Sequence, residues 1–104
     1  MIRQRPQAKL DIIEVVLWYD NQSAGLGQSF ISATDSTLVE LERHPYSGAE
    51  FFTAHPALQG LRRCRIAGAF QNYFLFYFSD SQGIELVRVL HSKRDILTIL
   101  DLQA

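Results

Sequence analysis

The groups able to carry acid–base or phosphate chemistry gather late in this chain. His91 follows Arg88-Val89-Leu90 and precedes Lys93, Arg94 and Asp95, while a second basic group, Arg62, Arg63 and Arg65, lies upstream. An imidazole takes a proton from a hydroxyl, and guanidinium groups neutralise a phosphate. His91 is therefore the candidate base, and the arginines are candidate cations, for any such chemistry. The same residues have a plainer use. A histidine that closes a strand beside polar neighbours suits a hydrogen-bonded structural role, and arginines alternating along a strand suit a solvated face. Arg88 is the exception, because a charge inside an apolar strand needs a carboxylate or a partner, and Asp95 is the nearest candidate.

The remaining polar chemistry is sparse. His44 precedes Pro45 at the end of a helical pattern, where a cation suits the helix dipole, and His55 has no acidic or cysteine neighbour at ligand spacing. Cys64 is the only cysteine, which excludes a disulfide framework and a structural zinc site and makes it a small buried hydrophobe. No metal and no cofactor is expected. The net charge of -1 and pI near 6.3 give the molecule no field that would draw it onto nucleic acid. No apolar run approaches a membrane span, and MIRQRPQAK lacks the apolar stretch of a signal peptide, so a cytoplasmic protein is expected. A length of 104 residues fits one domain with one core.

The elements that must position these groups follow from periodicity. Ile2 to Arg5 alternates as a short strand. Pro6 suits a first helical turn, and Ala8, Ile12, Val15, Val16 and Tyr19 recur at helical spacing from Gln7 to about Asn21, leaving Lys9, Asp11, Glu14 and Asp20 among the exposed positions. Residues 22–27 break that period, and a second helix runs from about Leu26 to Arg43, ended by His44-Pro45. Tyr46 to Gly60 reads as a long connection without periodic structure. Leu61 to Ile66 alternates as a strand, with Cys64 and Ile66 toward the core and Arg63 and Arg65 on the other side.

Tyr73 to Ser79 and Ile84 to Leu90 flank the turn cluster Asp80-Ser81-Gln82-Gly83 and predict a β-hairpin. With Asp80 opposite Gly83, an even register pairs Phe78 with Glu85, Phe76 with Val87 and Phe74 with Val89. That places Phe74, Phe76, Val87 and Val89 under the helices, and Tyr73, Leu75, Tyr77, Leu86, Arg88 and Leu90 on a more open face. Trp18, Tyr73 and Tyr77 are core or interface aromatics. Ile96 to Leu102 is an apolar tail, either a helical turn or an edge strand. The order is β-α-α-β-β-β, an α+β fold in which a helical hairpin packs on one face of a small, mostly antiparallel sheet.

At this point the chain resembles the ParE/RelE superfamily of bacterial type II toxins. The resemblance rests on AKLDIIEVVLWY, on LGQSFISATDSTLVELERHPYSG, and most specifically on LRRCRIAGAFQNYFLFYF followed by IELVRVLHSKRD. A strand of the type F-x-N-Y-x-x-F-Y, then R-V-L-H-x-x-R-D, is similar to the ParE branch in particular. The superfamily holds two activities: RelE-like members are ribosome-dependent ribonucleases that cut messenger RNA, and ParE-like members inhibit DNA gyrase. RelE-like nucleases generally place a Tyr or His in the C-terminal segment and carry extra lysines, whereas this chain ends ILTILDLQA with no such group after Arg94. The resemblance therefore implies a gyrase-directed, non-enzymatic toxin of a plasmid-stabilisation type. A RelE-like ribonuclease, for which His91, Arg65, Arg88 and Arg94 would be the catalytic candidates, and a non-toxic antitoxin-binding module are the alternatives. It also implies an antitoxin, disordered when free, that folds over the toxin and carries the DNA binding itself. Arg63, Arg65, Tyr73, Tyr77 and Arg88 are the expected partner-binding residues.

Overall fold

The computed structural model describes residues 1–103. Its elements are β1 (Ile2–Gln4), α1 (Pro6–Gln22), α2 (Leu26–Arg43), β2 (Ala49–Glu50), β3 (Arg62–Arg65), β4 (Tyr73–Asp80), β5 (Gly83–His91) and α3 (Ile96–Gln103). Single 3-10 turns occupy Pro56–Leu58 and Gly68–Phe70. The strands order β1-β5-β4-β3-β2, with β1 parallel to β5 and every other pair antiparallel. The α+β fold with a helical hairpin on the sheet is as the sequence implies. The two-residue β2 inside the long connection was not anticipated, and of the two readings of the apolar tail, helical turn or edge strand, α3 is the helical one.

Local chemistry sets the helix ends. Pro6 opens α1 because its fixed φ suits the first helical position and its missing N–H is not needed there. Gly25, at φ 92°, turns the chain into α2 through the left-handed region. The buried stripe of α2, Phe30, Thr34, Thr37, Leu38 and Leu41, follows the helical period and faces α1 and the sheet. Asp95 begins α3: its carboxylate accepts the Thr98 hydroxyl at 2.8 Å and its carbonyl the Ile99 N–H at 3.1 Å. It thus takes an N-capping place rather than that of the partner of Arg88.

The hairpin begins as its turn residues require, with Asp80 opposite Gly83 and Phe78 opposite Glu85, and then departs from an even register. Tyr77 pairs with Leu86 but Phe76 pairs with Arg88, so Val87 is the extra residue of a β-bulge. Beyond it Phe74 lies opposite Leu90 and Leu75 opposite Val89.

Burial corrects the expected faces. The core beneath α1 and α2 takes Leu75, Tyr77, Ile84, Leu86 and Val89, with Tyr73 and Cys64 at its margin. Phe74, Phe76, Val87 and Leu90 form a second core on the other face, closed by Leu58 of the long connection, by Leu61 just before β3 and by Leu100 of α3. The expected core set therefore divides: Val89 lies under the helices, and Phe74, Phe76 and Val87 do not. Both faces are covered, so the apolar character of one face did not identify it as the helix side. Tyr77 fits the helix side because its hydroxyl is satisfied there, donating to Pro45 O at 2.9 Å and accepting from Gly48 N–H at 3.0 Å. Gly48 has room for no side chain, since a Cβ would collide with the Tyr77 hydroxyl and sit 2.8 Å from the Arg63 carbonyl oxygen.

Candidate functional site

Of the expected charged site residues, Arg88 is the most deeply set. β1 ends at Gln4, and the Arg5 N–H bond to Leu86 O at 2.9 Å is its last tie to β5, so beyond that point the edge of β5 away from β4 has no strand beside it among the described residues. Asp11 of α1 fills the gap. Its Oδ2 accepts the Val89 N–H at 3.0 Å and the Arg88 Nε–H at 2.7 Å, and its Oδ1 accepts from Arg88 Nη2 at 2.9 Å. Both side chains are buried, Asp11 at 7 % and Arg88 at 8 % exposure. Asp11, expected at an exposed position, is thus the carboxylate that Arg88 requires. The forked, charge-assisted pair holds α1 on the sheet. Arg88 is a structural anchor here, not a group presented on an open face.

The arginines of β3 have separate surroundings. Arg62 is tied down, donating to Gly48 O at 2.7 Å and Tyr46 O at 3.3 Å, reaching the Glu50 carboxylate at 3.5 Å, and lying 4.9 Å over the Tyr46 ring. Arg63 is held between two rings, 5.3 Å from the centre of Phe51 and 4.6 Å from that of Phe74. Arg65 lies 4.6 Å over the same Phe74 ring and donates to Gln71 O at 2.8 Å. Arg63 and Arg65 do share a face, as the alternation of β3 implies. Their aromatic neighbours are Phe51 and Phe74, whereas Tyr73 and Tyr77 lie on the opposite side of the sheet.

His91 is on that opposite side. Its ring meets Tyr73 edge to face at 5.0 Å, and its Nδ1 accepts the Lys93 N–H at 3.1 Å, closing the turn that also carries an Arg94 N–H bond to His91 O at 3.0 Å. Burial, with the neighbouring Tyr19 phenol, pushes the Tyr73 phenol up to about 12, so Tyr73 is protonated at neutral pH. Tyr77 is fully buried and is corrected from an open-face residue to a core residue. The four candidate catalytic residues have different surroundings: His91 against Tyr73, Arg65 over Phe74 on the other face, Arg88 locked to Asp11, and Arg94 in the exposed turn after His91. Arg65 and His91 thus face opposite sides of the sheet, and Arg88 is taken up by Asp11.

Cys64 is half-buried, and burial pushes its thiol up to about 11, which leaves little thiolate for nucleophilic chemistry at neutral pH. His55 Nδ1 accepts the Ala57 N–H at 3.2 Å and caps a 3-10 turn. Among the described residues no group of three or more His, Cys, Asp or Glu side chains is placed to hold a metal ion.

One surface was missed by sequence reasoning. Leu10, Ile13, Leu17 and Trp18 of α1 are each just over half exposed and form an apolar ridge on the side of the helix away from α2 and the sheet. The signal was present in the spacing, since positions 10, 13 and 17 repeat at i, i+3 and i+7, out of phase with the stripe that faces the core. An apolar ridge on an outer helix face marks an interaction surface.

The family model of the ParE toxin of the type II toxin–antitoxin system, parDE, matches residues 2–96 of this chain. The match runs from β1 through β5 to the first residue of α3, so it spans the anchor, the arginine face and the α1 ridge. The chain belongs to the ParE toxin family of type II toxin–antitoxin systems, and an antitoxin is its implied partner. A search of curated proteins gives no match. No helix among the described residues is long and apolar enough to cross a membrane.

Proposed function

We propose that this toxin arrests growth by binding rather than by cutting RNA, with DNA gyrase as its target in the cytoplasm and plasmid stabilisation as the setting. The observation that carries this proposal is that Arg65 and His91 face opposite sides of the sheet while Arg88 is taken up by Asp11. A ribonuclease needs a base, an acid and phosphate-binding cations around one scissile bond. Here His91 has its Nδ1 engaged by the Lys93 N–H, and Arg88 has its guanidinium engaged by Asp11. The α1 ridge supplies what a binding toxin requires, exposed apolar area on a rigid element. We assign the gyrase-facing surface to the helical hairpin and its ridge. The partner-binding role of Arg63, Arg65 and Tyr73 belongs to the antitoxin, which neutralises the toxin by covering it. In this scheme Tyr77 and Arg88 act only by holding the fold, Tyr77 through Pro45 and Gly48 and Arg88 through Asp11.

Expression in bacteria tests the proposal. Growth arrest with a DNA-damage response, retained after His91→Ala, is the expected result. Arrest accompanied by cleaved messenger RNA and lost with His91 points to the ribonuclease, and absence of arrest points to an antitoxin-binding module without toxicity.

A further inference from the structure

The stacked arginines and the cleft beside them share a wall. Arg63 and Arg65 stand two residues apart on β3 and both lie 4.6 Å from the centre of one ring, that of Phe74. Arg3, Arg5, Arg62 and Arg88 each meet a carboxylate, whereas no ion pair with a described carboxylate satisfies Arg63 or Arg65. Two like charges held at one ring raise the local positive potential, and a nearby anion lowers it. Ring stacking also fixes the Arg63 fork before any ligand arrives, so little side-chain freedom is lost on binding.

Phe51 packs against the Arg63 guanidinium and also lines a cleft of about 250 Å³ together with Phe52, Leu58 and Leu61. Phe52 is 83 % exposed, the highest value of any large apolar side chain before α3. β2, the last strand of the sheet, borders the cleft through Glu50 and has no strand on its outer edge among the described residues.

We infer that this cleft and the arginine pair form one receptor for an extended acidic peptide segment, taking an apolar side chain in the cleft and a neighbouring carboxylate on Arg63 and Arg65. The inference rests on the reading of the chain as a toxin held by an antitoxin, and assigns to this face the antitoxin's acidic, apolar stretch. A peptide fits better than a nucleic acid. Two cations do not make a phosphate track, Glu50 stands at the cleft, and the net charge is -1. The open edge of β2 suits the main chain of an extended segment.

Fluorescence anisotropy with the full chain tests the receptor. The probes are a labelled dodecapeptide alternating leucine and glutamate, its glutamine analogue, and a single-stranded DNA of the same length. The glutamate peptide is expected to bind about tenfold or more tighter than the glutamine analogue, with tighter binding at low salt. Arg63→Gln/Arg65→Gln together should lose that factor, and Phe52→Ala should weaken both peptides. If the double variant folds poorly, the exposed Arg65→Gln and Phe52→Ala variants carry the test. Equal binding of the two peptides, unchanged binding by the variants, or DNA binding tighter than the glutamate peptide would overturn the inference. None of these measurements depends on toxicity, which the growth assay reads separately.

Discussion

Asp11 and Arg88, 77 residues apart, are joined at 2.7 and 2.9 Å in a buried fork that ties the first helix to the last strand. Removing either partner leaves the other charged and without its main counterion. Asp11→Ala also strips the Val89 N–H of its acceptor. Each single truncation is expected to cost about 3–5 kcal/mol in urea unfolding. The double change Asp11→Leu/Arg88→Met should cost clearly less than the two singles added together, because no unpaired charge remains. Additive losses would mean that the pair acts as two independent groups.

Tyr77→Phe isolates one hydroxyl. It removes a donor to Pro45 O and an acceptor for Gly48 N–H in a buried place, so a loss of about 1–3 kcal/mol is expected by denaturant unfolding. The same link fastens the end of α2 to the start of β2. Hydrogen exchange at Gly48 should accelerate in the variant while that of the β4–β5 ladder changes little.

The hairpin turn has a predictable acid limb. The hydrogen bond from Arg3, at 2.7 Å, holds the Asp80 carboxyl below its ordinary value of 3.8, helped by the Gln82 N–H. A carboxyl depressed in the folded state stabilises the fold above its unfolded pKa, and that contribution is lost as pH falls through the lower folded value. Asp80→Asn should therefore lower stability at neutral pH and flatten its decline below about pH 4. Parallel stability–pH curves for the two proteins would remove Asp80 as a source of acid sensitivity.

Leu17→Glu places a charge on the α1 ridge at a site already 60 % exposed. Unfolding free energy should stay within about 0.5 kcal/mol of the parent, as for other surface changes. Growth arrest should be lost, because a charge in the centre of an apolar contact is unpaired when the partner closes over it. A toxic, folded Leu17→Glu protein would remove the ridge from the target-facing surface.

The fold was legible wherever local pattern decides structure. Pro6, Gly25 and His44-Pro45 bound the two helices, and Asp80 to Gly83 mark the hairpin turn, because each acts through its own backbone. What eluded sequence reasoning depends on partners distant in the chain. One bulge at Val87 shifted the register of the β4–β5 pair beyond Tyr77, and no residue type announces such an insertion. The partner of Arg88 proved to be Asp11, 77 residues away, although Asp95 was closer in sequence. Arg63 and Arg65 were placed together correctly by alternation, yet their stacking on Phe74 required knowing which face each strand presents.

A binding toxin and a nuclease are separated most directly by giving the purified chain both targets side by side, DNA gyrase in a supercoiling reaction and ribosomes carrying a message. We expect supercoiling to fail in proportion to added toxin while the message stays intact, with the same result for His91→Ala. Cleavage of the ribosome-bound message with supercoiling unaffected would contradict the account.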